Sequence, residues 1–434
     1  MIQLLIPRDD IALTAQVQQV LLLAKHHGFD IDDIFLGASP TLYCQLVTPS
    51  YSSLIGSDCL ASCEDALSVL TDKPNLFLQY QVNFCAQMPF EHSQKRETCL
   101  VKIGLTAADS HDYVDEWYHG EELRSIRYST NAHAAHAADA KSEHFAWVLS
   151  LLCLDFPLED ALVVARAAMS VSRETWPTDS RYFPQLQHSV AGIFADDKQN
   201  HICFPKIDKN IGLYPVVDSA EWVERLLKFD VKTIQLRIKD STHPDLESQI
   251  IAAIELGQAY QAQVFINDHW QLAIKHGAFG IHLGQEDLTN ADLAQIAQAG
   301  ICLGISTHGY YEILNIASLN PSYIALGHIF PTPTKIMPSK PQGLVRLKLY
   351  QLLIESLSCA ANSDEVVSAK IPTVAIGGIN LENALQVWQC DVSGLAVVRA
   401  VTEAKSPQLV IDSFNQIIQN RLPSSAEEVC DYAF

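Results

Sequence analysis

The second half of the chain carries polar side chains at regular places, at or just after the ends of short apolar runs. The first such run, TIQLRIK (233–239), alternates Gln235, Arg237 and Lys239 with apolar residues. In an extended strand these three side chains share one face. Two cations and an amide are expensive to bury without an anion, so this face predicts an anion site. A structural layer of ion pairs is the alternative.

Carboxylates follow the next two apolar runs. Asn267 and Asp268 end QVFIND (263–268), and Asp287 comes shortly after GIHLG (280–284). Mg²⁺ typically takes one or two protein carboxylates and completes its shell with water and substrate phosphate. Asp268 and Asp287 are therefore predicted metal ligands. Taken singly, Asp268 in a turn and Asp287 as a helix cap would be the alternative.

The later runs end in groups that suit phosphate. Ser306 lies near the end of CLGIST, and the loop Thr332-Pro333-Thr334-Lys335 follows YIALGHIF after Phe330 and Pro331. Gly378 and Arg399 lie near the ends of TVAIGGI and GLAVVRA. Hydroxyls with an ammonium form a phosphate cradle, although a surface turn with a solvated lysine is the alternative. A glycine lets the backbone approach a phosphate closely. One metal beside an anion, with a second phosphate pocket opposite, predicts two phosphorylated substrates.

These side chains need a scaffold that brings the strand ends together. Eight β-branched runs alternate with amphipathic stretches, and this alternation predicts a (β/α)8 TIM barrel with its active site at the carboxyl ends of the strands. The runs are 213–219, 233–239, 263–268, 280–284, 302–307, 323–330, 373–379 and 394–400. The fold class is therefore α/β.

The rest of the chain divides around this barrel. An N-terminal α/β domain is predicted over 1–195, a polar linker over 196–210, the barrel over 211–422 and an acidic tail over 423–434. Within the N-terminal domain, Cys99–Leu105 reads as a strand and Leu158–Ser170 as an amphipathic helix.

Composition excludes several classes of protein. The chain has 434 residues, 48% of them hydrophobic and 18% charged, with a net charge of −21. This acidity argues against a nucleic-acid surface, and no window is apolar enough for a membrane span. The 11 cysteines are scattered, which indicates a reduced, cytoplasmic protein. A homo-oligomer is compatible with the sequence, which does not fix the oligomeric state.

In their order along the chain, QLRIK, FINDHW, GIHLGQED, LGISTH, ALGHIFPTPTK and AIGGI resemble the thiamine-phosphate synthase family. The resemblance covers residues 211–422 almost completely. It implies condensation of 4-amino-2-methyl-5-(diphosphooxymethyl)pyrimidine with 4-methyl-5-(2-phosphoethyl)thiazole, giving thiamine phosphate and pyrophosphate. The implied displacement is dissociative, depends on one Mg²⁺ per active site and needs no enzymic nucleophile. The implied partners are these two small molecules.

The resemblance also assigns roles to individual residues. It implies Asp268 and Asp287 as Mg²⁺ ligands, and Arg237, Lys239 and Lys335 as catalytic cations. The implied pyrimidine diphosphate site consists of Gln235, Leu236, Arg237, Ile238, Lys239, Asn267, Ser306 and Lys335. The implied thiazole phosphate site consists of Thr332, Pro333, Thr334, Gly378, Val398 and Arg399. Arg399 departs from the family, which usually has a serine there.

The N-terminal domain resembles the second half of a ribokinase-like hydroxymethylpyrimidine-phosphate kinase. LVKIGL (100–105), VDEWYHGEELRSIRYST (114–130) and FPLEDALVVARAAMSVS (156–172) carry the resemblance. Such kinases have a glycine-rich anion hole, whereas the corresponding stretch here, 136–147, contains no glycine. We therefore expect a reduced, degenerate kinase-like domain without kinase activity, whose role is structural, regulatory or substrate-handing. A metal site at His133, His136 and His144 is the weaker alternative.

Three other functions fit parts of this pattern. A thiazole tautomerase-like relative would have no use for the Asp268/Asp287 pair or the QLRIK strand. A non-catalytic sensor of thiamine precursors would have no need for an intact metal site. A bifunctional kinase and synthase would need the missing glycine motif.

Overall fold

The computed structural model describes residues 1–61, 73–80, 98–106, 112–129, 138–186, 204–332, 340–360 and 370–420. By its internal contacts the chain divides into two compact units, Met1–Asp196 and Asp197–Phe434. Among the described helices, none is long and apolar enough to cross a membrane.

The first unit is built on a mixed nine-stranded sheet with the strand order 2-1-3-4-5-6-7-8-9. Its strands are β1 Ile2–Ile6, β2 Ile34–Ala38, β3 Cys44–Val47, β4 Ser52–Ser57, β5 Leu76–Gln79, β6 Cys99–Thr106, β7 Asp112–His119, β8 Glu122–Ser129 and β9 Gln185–Leu186. Its helices are α1 Ile11–His26, α2 Ala138–Cys153 and α3 Leu158–Ala168, with a 3₁₀ turn at Ser180–Tyr182. The predicted strand at Cys99 and helix at Leu158 are confirmed.

The helices of this unit bury their apolar faces. On α1 the buried residues recur at helical spacing. Nearly every residue of α3 is buried, so this helix lies inside the unit and not at its surface. An aromatic cluster of Phe29, Trp147, Phe156 and Trp176 closes part of the core.

The second unit is a closed barrel of eight parallel strands, as predicted. The strands are β10 Gly212–Val217, β11 Thr233–Leu236, β12 Gln263–Asn267, β13 Gly280–Leu283, β14 Cys302–Thr307, β15 Tyr323–Gly327, β16 Thr373–Ile376 and β17 Gly394–Val397. The helices are α4 Ala220–Lys228, α5 Leu246–Ala259, α6 Trp270–His276, α7 Gln285–Leu288, α8 Leu293–Gln298, α9 Tyr310–Ala317, α10 Gly343–Ala360, α11 Ala384–Trp388, α12 Arg399–Thr402 and α13 Pro407–Gln419. The first and last strands pair and close the ring.

The barrel interior is filled by large aromatic side chains that meet glycines on neighbouring strands. A Cβ added to Gly304 would lie 2.1 Å from the Tyr323 ring, and one added to Gly280 would lie 2.3 Å from the Phe265 ring. Tyr214 joins these two rings in the buried core. The interior is therefore packed, and ligands are confined to the loops at its mouth.

Residues 204–210, within the stretch predicted as linker, lie against the barrel. Phe204 is buried, and Ile207 packs on the core. The Ser322 hydroxyl donates to the Pro205 carbonyl at 2.6 Å. These contacts attach the entry segment to the barrel.

Candidate active site

Asp268 and Asp287 meet where β12 and β13 end. Asp268 directly follows β12 in the left-handed conformation, with φ of 64°, which aspartate tolerates better than most residues. Its amide donates to the His282 carbonyl on β13 at 3.0 Å. Asp287 lies in the first turn of α7, where its Oδ2 accepts from the Gly284 amide at 3.2 Å. The two carboxyl groups are close enough to interact electrostatically.

This pairing has an electrostatic cost that a cation would relieve. Burial, together with the neighbouring Asp287 carboxylate, raises the pKa of Asp268 to about 6, while Arg237 opposes the rise. Burial lowers the pKa of the Arg237 guanidinium, against the effect of Asp268. Two oxygen-donor groups held this close suit a hard divalent cation, so the residues present fit the metal that the sequence predicts. Across the described ranges, no three His, Cys, Asp or Glu residues group together.

The QLRIK segment continues beyond its strand. β11 ends at Leu236, and the Arg237 amide donates to the Val217 carbonyl at 2.7 Å. His269, next to Asp268, bonds the Ile238 carbonyl through Nε2 at 2.9 Å. Leu236 and Ile238 are buried, whereas Lys239 is exposed. The segment is thus tied to the loop that holds Asp268.

Ser306 lies at the same end of the barrel. Its hydroxyl bonds His282 Nε2 at 2.8 Å, and its carbonyl accepts from the Gln285 amide at 2.6 Å. Asn267, the last residue of β12, is buried beside Asp268. The predicted pyrimidine diphosphate residues on β11, β12 and β14 therefore lie at or near the carboxyl ends of these strands.

The structure describes the beginning and the end of the loop after β15. Thr332 is partly buried, while Pro333, Thr334 and Lys335 lie outside the described residues. On the far side, the Gln342 amide donates to the His328 carbonyl at 2.9 Å. The Gln342 side chain also donates to the carbonyls of His308 and Gly327, at 2.7 and 2.6 Å. Gln342 thus ties the exits of β14 and β15 together, a role the sequence analysis missed.

The Gly377-Gly378 pair is required by packing. Both residues have positive φ, 103° and 68°. A Cβ at Gly377 would lie 2.4 Å from the His328 Cβ, and one at Gly378 would lie 2.7 Å from the Phe330 Cβ. The close approach of the β15 and β16 loops explains both glycines without a ligand, so their presence alone does not indicate a phosphate site.

Arg399 begins the short helix α12, directly after Val398. Its Nε donates to the Glu403 carboxylate at 2.6 Å, and the two side chains are 48% and 57% exposed. An exposed pair of this kind contributes little to stability. Arg399 therefore lies at the surface, paired with a neighbour on its own segment.

A buried polar chain inside the barrel also escaped the sequence analysis. It runs from Gln235 through Tyr214, Tyr323 and His282 to Ser306. The polar residues that interrupt the apolar runs LYPVV, GIHLG and YIALG are the signal that could have indicated it.

In the N-terminal unit, helix α2 occupies most of the glycine-free stretch 136–147, since it begins at Ala138. His144 on this helix is buried, and its Nδ1 bonds the Tyr80 hydroxyl at 2.8 Å. His133 and His136 lie outside the described residues. The described part of this unit therefore offers no support for a histidine metal site.

A closed parallel barrel with paired carboxylates and an arginine at its mouth is the architecture of a TIM-barrel enzyme. A family model described as thiamine monophosphate synthase matches residues 213–401. The thiamine-phosphate synthase of Proteus mirabilis is 52% identical over 225 residues, covering 52% of this chain and 98% of the relative. That of Serratia proteamaculans is 51% identical over 218 residues, covering 50% and 96%. The chain belongs to the thiamine-phosphate synthase family.

Among solved structures, a thiamine phosphate pyrophosphorylase from Pyrococcus furiosus is 27% identical with a TM-score of 0.41. The match covers 49% of this chain and 97% of that one. The two bacterial relatives correspond in nearly their whole length to the barrel half of this chain. The similarity therefore assigns the barrel to a group-transferring enzyme of thiamine biosynthesis and leaves the N-terminal unit without an assignment.

Proposed function

We propose that the barrel condenses the pyrimidine diphosphate with the thiazole phosphate, giving thiamine phosphate and releasing pyrophosphate. The observation that carries this proposal is the placement of Asp268 and Asp287 close enough to affect each other's ionisation, with Arg237 near Asp268. A carboxylate pair next to a cation suits a metal-bound diphosphate better than a single phosphate monoester. A thiazole tautomerase would have no use for this arrangement.

Asp268 and Asp287 would hold one Mg²⁺ per active site. The metal, when bound, supplies positive charge to the diphosphate as its bond to carbon breaks. The left-handed turn at Asp268 and the first-turn position of Asp287 fix both carboxylates before any substrate arrives. This preorganisation avoids reorganisation during the reaction.

The protein's own cations would stabilise the leaving pyrophosphate. Arg237, Lys239 and Lys335 take this role, with Gln235, Asn267 and Ser306 as further ligands of the pyrimidine diphosphate. Leu236 and Ile238 would contribute through their backbones, because their side chains are buried in the barrel wall. The pyrimidine amino group delocalises the positive charge on the methylene carbon, and the thiazole nitrogen is the nucleophile.

The thiazole phosphate would lie on the opposite side of the mouth. Thr332, Pro333, Thr334, Gly378, Val398 and Arg399 are its proposed ligands. To bind the phosphate, Arg399 would break its ion pair with Glu403. The loss of free energy would be small because that pair is exposed.

For the N-terminal unit we propose a degenerate, kinase-like domain that transfers no phosphoryl group. A helix over Ala138–Cys153 supports this, because its backbone amides past the first turn are engaged within the helix. Glu143 in that helix pairs with Arg173 at 3.1 Å. A cytoplasmic location, a domain boundary at 195–211 and a homo-oligomeric state remain predictions.

The reaction is tested by supplying the full chain with both substrates and Mg²⁺ and measuring thiamine phosphate and pyrophosphate by mass spectrometry. We expect the two products in equal amounts, and none when either substrate is omitted. A folded protein that forms no thiamine phosphate would overturn the proposal. Conversion of a thiazole phosphate isomer without the pyrimidine would favour a tautomerase instead.

A further inference from the structure

Four hydrogen bonds, three of them buried and the one at Ser306 partly buried, connect the two sides of the proposed pyrimidine diphosphate site through the barrel interior. Gln235 Nε2 donates to Tyr214 Oη at 3.3 Å, and Tyr214 Oη lies 2.8 Å from Tyr323 Oη. Tyr323 Oη lies 2.7 Å from His282 Nδ1, and His282 Nε2 lies 2.8 Å from Ser306 Oγ. We call Tyr214, Tyr323 and His282 the interior relay.

The relay is enclosed by protein. The two tyrosines are 1% and 0% exposed, and His282 is 6% exposed. The Tyr323 ring stacks on the His282 ring, with 5.7 Å between centroids, and packs against Phe265. Burial raises the pKa of both phenols, so each keeps its proton. These polar groups therefore satisfy one another, since burial without a partner is expensive.

We infer the direction of these bonds from the requirement that each buried hydroxyl proton has an acceptor. Tyr214 Oη accepts a hydrogen bond from Gln235 Nε2, and within the described residues the acceptor left for its own proton is Tyr323 Oη. Tyr323 must then donate its single proton onward to His282 Nδ1. An imidazole that accepts at Nδ1 carries its proton on Nε2 when neutral. Nε2–H therefore donates to Ser306 Oγ.

The consequence falls on the Ser306 hydroxyl. Because its oxygen accepts from His282 and none of the described residues accepts its own proton, that proton is available for a partner in the barrel mouth. We propose that the interior relay positions Ser306 as a hydrogen-bond donor to an oxygen of the diphosphate substrate. His282 is thus a positioning residue that acts through Ser306. This proposal rests on the proposed function for the identity of the substrate.

The relay further couples Ser306 to Gln235 across the barrel. With one amide hydrogen of Gln235 committed to Tyr214, its carbonyl oxygen remains as an acceptor. One end of the relay thus presents a donor and the other an acceptor. An aminopyrimidine that carries a diphosphate offers both complements, an exocyclic amino group and anionic oxygens.

A double-mutant cycle on the full chain tests the positioning role. Ser306→Ala and His282→Leu should each raise KM for the pyrimidine diphosphate about 10- to 100-fold, as expected for losing a hydrogen bond to a charged group. If His282 acts through Ser306, the double variant should be no worse than Ser306→Ala alone. Effects that multiply would show that His282 acts independently and would overturn the proposal.

Two further variants separate positioning from folding. His282→Gln keeps an N–H donor and an oxygen acceptor, so it should restore most of the affinity lost in His282→Leu. Tyr350→Phe removes the hydroxyl of a buried tyrosine outside the relay, whose ring packs on Tyr310. This control variant should leave KM unchanged. Tyr323→Phe, which removes a hydroxyl of the relay, should raise KM. An equal KM increase in Tyr350→Phe and Tyr323→Phe would show that the relay acts only through packing and would overturn the proposal.

The direction of the relay has a readout that needs no turnover. Nitrogen-15 NMR of the histidine-labelled full chain should give His282 as the neutral Nε2–H tautomer, and Tyr323→Phe should shift its Nδ1 signal. The Nδ1–H tautomer would overturn the proposed direction even in an active enzyme. Because this measurement is independent of catalysis, it distinguishes failure of the relay from failure of the synthase assignment.

Discussion

Each unit of the chain contains an aspartate beside an arginine, and the two contacts differ in what they leave unused. In the N-terminal unit, Asp115 is fully buried, with Arg166 Nε and Nη2 donating to its Oδ2 at 3.0 and 2.8 Å. Its Oδ1 accepts from the Gly104 amide and the Tyr128 hydroxyl at 2.8 and 3.2 Å. Both carboxylate oxygens are thus engaged within the fold.

In the barrel, Asp268 is only partly buried at the open end of the strands and has another carboxylate as its neighbour. Arg237 offsets only part of the effect of that neighbour on Asp268. The comparison teaches that burial and charge alone do not indicate a site. A carboxylate with all its bonds made supports structure, whereas one held beside a like charge at a strand end is prepared for a ligand.

The largest expected effect is the loss of turnover in Asp268→Asn. Asparagine keeps the size and tolerates the left-handed backbone, so only the charge is lost. Loss of one preorganised charge contact typically costs about 10²- to 10³-fold in rate, and kcat should fall by that amount in steady-state assays. Asp230→Asn is the matched control, since Asp230 also has positive φ, 62°, and pairs with Lys232 away from the mouth. Equal kcat in the two variants would place the active site elsewhere.

Asp115→Ala should have the opposite effect to Asp268→Asn. It should lower the stability of the fold and leave catalysis unchanged. Removing one partner of a buried pair leaves a buried charge uncompensated and typically costs about 3–5 kcal/mol. We expect the N-terminal unit to unfold at a lower denaturant concentration in titrations, while synthase turnover is retained. Asp32→Asn, which breaks the exposed pair with Lys25, should change the stability far less, because solvent screens an exposed pair. Loss of turnover in the folded Asp115 variant would link that ion pair to catalysis.

A smaller effect is expected from Arg399→Ser, which restores the residue usual in the family. Arg399 is exposed, so its proposed contact with the thiazole phosphate would be weak. Losing that contact should raise KM for the thiazole phosphate about 2- to 5-fold. KM for the pyrimidine diphosphate should stay the same. Arg225→Ser serves as the control, because Arg225 stacks on Trp222 of α4. A lower KM in Arg399→Ser would show that arginine crowds the pocket.

The last prediction is that the protein has no kinase activity. The full chain incubated with ATP, Mg²⁺ and the pyrimidine monophosphate should form no diphosphate above the level without protein. A kinase needs positioned donors around the transferred phosphoryl group, and the helix from Ala138 engages its own amides. Steady accumulation of diphosphate would make the protein bifunctional.

The barrel was predictable because its signals are local. Each β-branched run produced one strand, and the polar residues that followed the runs lie at the carboxyl ends, as in Asp268 after β12 and Ser306 at the end of β14. The N-terminal sheet was less accessible, since most of its strands are short and their pairing is partly antiparallel. Neither the strand order nor the register of such a sheet is encoded locally.

The side-chain hydrogen bonds inside the barrel were not predicted from the sequence for a related reason. Tyr214 and Tyr323 are 109 residues apart, and His282 lies 41 residues from Tyr323. Only the closed barrel brings them together. Arg399 pairs with Glu403, four residues away, a contact that helical spacing makes available, and its role at the thiazole phosphate stays a prediction.

The central claim is that the Asp268/Asp287 pair makes the barrel a magnesium-dependent synthase. Its most direct test is the rate of thiamine phosphate formation by the full chain, measured at saturating substrates while free Mg²⁺ is titrated from an excess of EDTA. We predict no product in EDTA, full recovery as Mg²⁺ is restored, and no recovery at any Mg²⁺ concentration in Asp268→Asn. Undiminished synthesis in excess EDTA would contradict the account.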